Sequence, residues 1–211
     1  MNIFKTLKKV HPITQGILAI SLFVVSVLLT RSTTIPGWEV ELFKFAYNLP
    51  NFLHTIFFFI TQFGSIYLLV LLLIIYLFQK HYHIVLRLFM TGSLAYLLAG
   101  VAKDTVGRAR PYEFLNDIIS IEITRGSGFP SGHMALATAL ALTMGHYMPK
   151  KYHWVVPVWI IGVGLSRLVL GVHFPMDVLG GFAIGWGSYA LFRLVRIYDT
   201  TFKPDKKQSI L

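Results

Sequence analysis

The 211-residue chain contains no cysteine, and charged residues make up only 13% of it. Without cysteine the chain cannot form a disulfide bond, a thiolate nucleophile or a metal site with cysteine ligands, so any catalysis must use other side chains. Acidic residues are few, nine against nineteen Lys and Arg, and the formal net charge is +10. A nucleic-acid partner is not expected, because the basic residues lie between long apolar runs and do not spread over a solvated face.

Apolar residues make up 55% of the chain, well above the share in an ordinary soluble domain. They form six runs of roughly 15 to 20 residues, a length that crosses the hydrocarbon core of a bilayer with modest adjustment. The runs cover residues 16–30, 66–78, 84–102, 134–147, 154–170 and 178–194. This pattern predicts an all-α, multi-pass membrane protein with six transmembrane helices in a single domain over residues 1–211.

The segment between the first two runs, residues 31–65, is rich in aromatic residues and is broken by Pro36, Pro50 and Gly64. These features predict interfacial helices instead of a further span. The first apolar run is expected to be a retained anchor and not a signal peptide, since no small-residue cleavage site follows it.

Basic residues alternate between the two ends of the predicted spans. Twelve fall on the side that the positive-inside rule assigns to the cytoplasm, together with both termini. They are Lys5, Lys8, Lys9, Lys80, Arg87, Lys150, Lys151, Arg193, Arg196, Lys203, Lys206 and Lys207. The outer side of the plasma membrane receives Arg31, Lys44, Lys103, Arg108, Arg110, Arg125 and Arg167. The last five break the rule, and an anionic ligand would explain their presence.

The first group of candidate site residues follows the third run. Lys103 and Arg110 are seven residues apart, so they share one face of a helix if the segment is helical. Pro111 then ends that helix, which leaves Arg110 at its rim, where a guanidinium group can bind two phosphate oxygens. The alternative is a pair of cations that anchors a helix end at the membrane surface.

The second group opens the fourth run. Ser131 is a plausible N-cap, Gly132 allows close approach of a ligand to the backbone, and the free amides of a helix N-terminus bind anions. His133 would then stand beside the bound anion, where a protonated imidazole can donate a proton to a leaving group. The alternative is a histidine with a structural role at a helix cap.

The third group joins the fifth and sixth runs. Arg167 is followed six residues later by His173, and Pro175 suits the first position of a new helix. Asp177 would lie in the first turn of that helix and could accept the proton of one His173 ring nitrogen, which leaves the other nitrogen free to attack. The alternative is that Asp177 caps its helix and His173 is only hydrogen-bonded to it. Taken together, the three groups supply what is needed to hold, attack and release a phosphoryl group.

The sequence resembles the type-2 phosphatidic acid phosphatase family, which shares its site with vanadium haloperoxidases and glucose-6-phosphatases. Three family motifs are present: Lys, six residues, Arg-Pro at 103–111; Pro-Ser-Gly-His at 130–133; and Ser-Arg, five residues, His, three residues, Asp at 166–177. The resemblance implies that His173 attacks phosphorus to form a phosphohistidine, that Asp177 supports it and that His133 protonates the leaving group. It also implies phosphate binding by a set of five residues: Lys103, Arg110, Ser131, Gly132 and Arg167.

The resemblance further implies a hydrolase that needs no metal or other cofactor. Bacterial members with this layout act on lipid phosphates and diphosphates, namely phosphatidylglycerophosphate, undecaprenyl diphosphate and phosphatidic acid. Arg108 lies outside the core pattern and receives no role from it, while Asp104 and Arg125 are interpreted as loop or rim charges. A lipid head group at the interface, with its tails in hydrocarbon, would suit the basic cluster.

Three other functions use the same residues. A transporter or binder of anionic head groups would need the cations, although it would not need a nucleophile and a proton donor. A metal site with His133, His173 and Asp177 as ligands would face repulsion from the basic neighbours. Vanadate-dependent halide oxidation is the third, and it is not expected of a small membrane-embedded chain.

Overall fold

The computed structural model describes residues 6–7, 9–30, 34–122 and 126–198. Seven of the basic residues used to predict the orientation lie outside these residues, as do both termini: Lys5, Lys8, Arg31, Arg125, Lys203, Lys206 and Lys207. Every regular element of the described residues is helical. In chain order the α-helices are α1 (Pro12–Thr30), α2 (Gly37–Tyr47), α3 (Asn51–Thr61), α4 (Ile66–Phe78), α5 (Tyr82–Val106), α6 (Pro111–Phe114), α7 (Gly132–Tyr147), α8 (Val155–Val169) and α9 (Pro175–Tyr198).

Four helical segments of the described chain are long and apolar enough to cross a membrane, namely Pro12–Thr30, Tyr82–Phe114, Lys150–Val169 and Pro175–Val195. A fifth span results if Asn51–Gly64 and Ile66–Phe78, which meet at an angle of 55°, are one broken crossing. The predicted number of six is not reached on length and composition, because α4 alone has 13 residues and α7 has 16. The chain is thus an all-helical, multi-pass membrane protein.

Helix α7 is the centre of the bundle and packs against α5, α8 and α9. All of its residues from 134 to 145 are buried. Glycines allow α9 to approach it closely, because a Cβ at Gly181 or Gly185 would overlap with a backbone carbonyl oxygen of the α7 segment. This contact fixes the start of α7 against the start of α9, and both starts carry candidate site residues.

The outer surface of the bundle is apolar. Large side chains such as Leu28 of α1, Tyr67 and Phe78 of α4 and Leu97 of α5 are exposed. An aqueous solvent would disfavour so large an apolar surface, whereas the acyl chains of a bilayer accept it. The helices therefore expose to lipid what a soluble protein would bury.

The segment predicted to be interfacial forms two helices of 11 residues each, α2 and α3. Its breaks fall where the sequence predicts them: Pro36 precedes α2, Pro50 precedes α3, and a 3-10 turn ends at Gly64. Helix α2 packs against α8 and α9, and α3 packs against α8. The segment therefore covers the end of the bundle at which α8 ends and α9 begins.

Candidate active site

His173 lies in the short connection between α8 and α9. The chain turns there at Gly171, whose φ of 75° favours glycine, and a Cβ at this position would lie 3.0 Å from the ring of Tyr47. Pro175 begins α9, as the sequence predicts. His173 is 2% exposed, so the turn places its imidazole inside the protein.

Asp177 lies in the first turn of α9 and has no exposed surface. Its Oδ2 accepts a hydrogen bond of 2.8 Å from the N–H of Phe174 and lies 3.4 Å from Nδ1 of His173. That ring nitrogen is buried and, within the described part of the chain, makes no hydrogen bond of good geometry. Asp177 thus caps its helix and places the same oxygen opposite His173, while a hydrogen bond between the two side chains stays a prediction.

The N-terminus of α7 is capped by Ser131, whose Oγ accepts a hydrogen bond from the N–H of Met134 at 3.4 Å. The N–H of Ser131 donates a 2.9 Å hydrogen bond to the backbone oxygen of Asp177, which joins the start of α7 to the start of α9. At Gly132, no atom beyond its chain neighbours and the backbone of its own helix lies within 4 Å of the place that a Cβ would take. The backbone here is therefore open to an anion, as a phosphate site at a helix N-terminus requires.

His133 follows in the first turn of α7, and its side chain is 29% exposed. Its Nε2 lies 3.8 Å from Oε1 of Glu122, which belongs to the loop between α6 and α7. The backbone of His133 is packed closely against Gly64, where a Cβ would overlap with the carbonyl oxygen of His133. The imidazole is therefore partly exposed and faces an acidic group.

Lys103 and Arg110 do not share a helix, so that prediction is wrong. Helix α5 ends at Val106, because Gly107 adopts a left-handed conformation with a φ of 67° and caps it. Lys103 Nζ donates a 2.6 Å hydrogen bond to the backbone oxygen of Ser127. Arg110, 3% exposed, lies just before α6 and donates hydrogen bonds to backbone oxygens of Gly126 and Val172, at 2.8 and 3.1 Å. Both cations are held by the loops that surround the site.

Arg167, near the end of α8, is 1% exposed. Its guanidinium group donates a short hydrogen bond to Oγ1 of Thr61 and forms an ion pair of 2.7 Å with Oε2 of Glu122. Its Nε is buried and, among the described residues, has no hydrogen-bond partner. A buried guanidinium group with an unused donor is suited to bind an oxyanion.

The three cations act electrostatically on His173. Burial is the main cause that lowers the pKa of the His173 imidazole well below its ordinary value. The positive charges of Arg167, Arg110 and Lys103 lower this pKa further, and a hydrogen bond with the backbone of Gly128 opposes them. His173 is therefore neutral near pH 7, the form in which an imidazole nitrogen is a nucleophile.

The histidines and carboxylates do not assemble a metal site in the described residues. No three or more His, Asp or Glu side chains there are arranged to hold a metal ion. The alternative with His133, His173 and Asp177 as metal ligands has no support in this geometry.

A family model for the PAP2 superfamily matches residues 84–200, more than half of the chain, and this range contains all three motifs. The chain belongs to the PAP2 superfamily. It is a membrane phosphatase by this membership, and the resemblance seen in the sequence is confirmed.

Two relatives and one solved structure show how far the similarity to other PAP2 proteins extends. An undecaprenyl-diphosphatase of Sulfolobus acidocaldarius is 30% identical over 78% of this chain and 80% of its own length. Phosphatidylglycerophosphatase B of Bacillus subtilis is 33% identical over 68% of this chain and 74% of its own length. The crystal structure of a transmembrane PAP2-type phosphatidylglycerolphosphate phosphatase from Bacillus subtilis has the same fold, with a TM-score of 0.75 at 24% identity over 90% of this chain and 99% of that one.

Three residues at this PAP2 site were missed in the sequence. Glu39 of α2 contacts the Asp177 region, Thr61 at the end of α3 binds Arg167, and Glu122 reaches Arg167 and His133 from the loop before α7. None belongs to a motif, and Glu39 and Thr61 lie more than 100 residues from these partners. Their one visible signal was the position of Glu39 in a mostly apolar segment, where a carboxylate needs a partner.

Arg108, to which no role was assigned, is 8% exposed and pairs with two carboxylates, those of Glu39 and Asp177. Asp104 is exposed, in agreement with its interpretation as a rim charge. Arg125 lies outside the described residues.

Proposed function

We propose that this PAP2 protein hydrolyses the phosphomonoester or diphosphate of a membrane lipid, with His173 as the nucleophile. The observation that carries the proposal is the buried pairing of His173 with Asp177 next to three cations and a second histidine. The names of the relatives point to lipid substrates of two kinds, an undecaprenyl diphosphate and a phosphatidylglycerophosphate. Phosphatidic acid is the third candidate.

In the first step, Nε2 of His173 attacks phosphorus while Nδ1 keeps its proton and faces Asp177. A bond forms between nitrogen and phosphorus, and the bond from phosphorus to the leaving oxygen breaks. His133 donates a proton to that oxygen, which departs as an alcohol or, from a diphosphate, as a lipid monophosphate. The 29% exposure of the His133 side chain leaves room for a leaving group beside it.

In the second step, water hydrolyses the phosphohistidine. His133, now neutral, accepts a proton from the attacking water, an oxygen–phosphorus bond forms, and the nitrogen–phosphorus bond breaks to release phosphate. Both histidines return to their starting states, so the cycle needs no metal or other cofactor. Lys103, Arg110 and Arg167 bind the phosphate oxygens, with the Ser131 hydroxyl and the amide of Gly132, and stabilise the charge of both transition states.

An apolar groove near the phosphate site supports a lipid substrate. Helices α1, α5 and α9 enclose a groove of about 730 Å³ whose lining is almost entirely apolar. It reaches Ala102 and Val106, on either side of Lys103, and Phe23 in its wall packs against Phe129 of the loop before α7. A phosphate bound at Lys103 would thus have hydrocarbon-compatible space beside it for an acyl or prenyl chain.

The proposal includes a topology. We place six spans in the bilayer, counting α4 and the buried α7 as crossings, because α7 connects the two ends of the bundle although it extends only about 24 Å. The single domain covers residues 1–211, since α1 and α2 pack against helices of the family-matched segment. The site faces outward from the plasma membrane, and both termini are cytoplasmic, as the distribution of basic residues favours.

The chain lacks cysteine, so the orientation can be tested with single introduced thiols. Glu41 is exposed on α2 near the site, and Lys151 is exposed at the other end of the bundle. In intact cells a membrane-impermeant maleimide should label Glu41→Cys and spare Lys151→Cys until the membrane is permeabilised. The reverse pattern would place the site in the cytoplasm.

The catalytic proposal is tested with purified protein in excess chelator. A panel of lipid monophosphates and diphosphates is incubated with the wild type and with His173→Ala, and released phosphate is measured. The wild type should turn over at least one lipid, whereas His173→Ala should lose activity by about 1,000-fold or more while remaining folded. His11→Ala, which removes an exposed histidine at the far end of α1, is the control.

Binding of lipid phosphates without release would favour the alternative, a transporter or binder of anionic head groups. Activity that stops in chelator and returns with metal would refute the metal-independent mechanism.

A further inference from the structure

The carboxylate of Asp177 is held from two sides. Oδ2 accepts the N–H of Phe174 and faces His173, as described above, while Oδ1 accepts a hydrogen bond of 2.7 Å from Arg108. With both oxygens bound, the carboxylate cannot rotate without breaking a charge-assisted hydrogen bond. The direction in which Oδ2 points toward the His173 ring therefore depends on Arg108.

Arg108 is itself fixed by Glu39. The two nitrogen atoms of its guanidinium fork donate to the two Glu39 oxygens, at 3.0 and 2.6 Å, and one of these nitrogens is the donor to Asp177. The guanidinium carbon also lies 5.1 Å from the centre of the Phe174 ring. Because two nitrogen atoms of the planar guanidinium group contact the same carboxylate, the group has one orientation. A lysine at the same position could not reproduce this contact.

Glu39 connects this pair to the backbone of α9. It has no exposed surface, and its Oε1 also accepts a 2.9 Å hydrogen bond from the N–H of Met176, the residue before Asp177. Glu39 therefore joins three elements: α2, the segment after α5 and the first turn of α9. Both the side chain of Asp177 and the backbone next to it are held by this one carboxylate.

The charges of the three groups also favour the reaction. Two carboxylates and one guanidinium group leave one net negative charge beside His173. When the ring bonds to phosphorus through one nitrogen and keeps a proton on the other, it becomes positively charged, and a nearby negative charge stabilises that state.

We propose that Glu39 and Arg108 are positioning residues, which act through Asp177 to orient the His173 ring and to stabilise its charged state. This inference rests on the proposed function, in which His173 is the nucleophile. Neither residue lies among the groups that bind phosphate, so they act on turnover and not on substrate affinity.

The first test is Glu39→Gln, which keeps the size of the side chain and removes its charge. The expected result is a fall in kcat of about 10- to 100-fold, the usual scale for a small misplacement of a reacting group, with KM changed by less than about 2-fold. Glu41→Gln makes the same chemical change on the same helix at an exposed position and should leave kcat unchanged. Thermal unfolding of each variant shows whether a fall in kcat occurs in folded protein.

The second test is a pair of variants at Arg108. Arg108→Gln alone leaves the carboxylates of Glu39 and Asp177 buried without their cation, so kcat should fall further than in Glu39→Gln. Adding Glu39→Gln removes one of these charges, and the double variant should have a higher kcat than Arg108→Gln. If Glu39→Gln or Arg108→Gln does not fold, Arg108→Lys replaces it. This variant keeps the buried positive charge but cannot form the two-point contact of the guanidinium fork with Glu39, so kcat should fall at unchanged KM.

The outcomes separate this inference from the proposed function. If the wild type is active and His173→Ala is inactive, but folded Glu39→Gln has the kcat of the wild type, Glu39 is only structural and the inference is wrong. If Glu39→Gln has a lower unfolding temperature but an unchanged kcat, the conclusion is the same. It is also the same if the double variant has no higher kcat than Arg108→Gln. Full activity of His173→Ala, or no turnover by the wild type, would instead refute the proposed function.

Discussion

The two histidines of the site lie in contrasting surroundings. His173 is 2% exposed, faces a carboxylate that is bound on both oxygens, and is backed by a network that reaches α2. The side chain of His133 is 29% exposed, and Oε1 of Glu122 lies 3.8 Å from its Nε2. One half of the site is therefore enclosed and built on a carboxylate bound through both oxygens, while the other half is partly open.

This difference agrees with the two proposed roles. A nucleophile must meet phosphorus in one fixed geometry, and a rigid setting provides that alignment before the substrate arrives. A proton donor must accommodate leaving groups of varied size, because the leaving group carries the lipid. The enclosed half should therefore determine how well phosphorus is attacked, and the open half how well the leaving group departs.

The largest expected difference between the enclosed half and the open half is in how their variants respond to a change of leaving group. His133→Ala should reduce turnover of a lipid phosphate by about 100-fold or more, since general acid catalysis contributes on this scale. With a nitrophenyl phosphate the loss should be far smaller, because a nitrophenolate departs without a proton. His173→Ala should lose activity with both substrates. The ratio of kcat values for the two substrates is the measurement, and an equal loss for His133→Ala with both would contradict its role as the acid.

A second, smaller effect concerns the pH dependence of the enclosed half. Burial and three cations lower the pKa of His173, so its neutral form persists below the ordinary histidine pKa of about 6.5. In a profile of kcat/KM against pH, the acid limb that reports His173 should therefore lie below the ordinary histidine pKa. Activity should be lost as the pH falls through the pKa of His173 in the folded protein. The groups that act on the ring from neighbouring elements are Arg167, Arg110, Lys103, Asp177, His133 and the backbone of Gly128.

Lys103→Gln removes one of these positive charges, so the pKa of His173 should rise and the acid limb should move to higher pH, in addition to a general loss of phosphate binding. Wild type and variant are compared on one substrate, so that the ionisation of the substrate itself cancels. Lys44→Gln, which removes an exposed cation paired with Asp117, is the control and should not move the limb. A limb that stays in place in Lys103→Gln would show that it does not report His173.

The site was largely predictable from the sequence where its geometry is local. Ser131 caps α7 and Pro175 begins α9, because these positions depend on the backbone chemistry of a few adjacent residues. The approach of Asp177 to His173 depends on a spacing of four residues and was predictable for the same reason. The helix shared by Lys103 and Arg110 was predicted wrongly, although Gly107 is a common helix terminator that argued against it.

The remaining contacts are long-range. Arg108 pairs with Glu39, which is 69 residues away, and Arg167 binds Thr61, which is 106 residues away. Such pairs depend on how α2 and α3 fold over the end of the bundle, and one sequence without its fold contains no signal for that packing. The number of spans was hard to predict for a related reason: α7 has only 16 residues, and its burial by neighbouring helices is a property of the packing.

The smallest expected effect concerns Glu122 in the open half. Its carboxylate binds Arg167 at 2.7 Å, in competition with a substrate phosphate for the same guanidinium group. Glu122→Gln should therefore lower KM by about 3- to 10-fold, equivalent to roughly 1 kcal/mol of binding free energy, with little change in kcat. Asp117→Asn changes another carboxylate of the same loop, one that pairs with Lys44 and not with the site, and should leave KM unchanged. A higher KM in Glu122→Gln would instead mean that Glu122 holds Arg167 in its phosphate-binding position, which would make the open half as pre-arranged as the enclosed one.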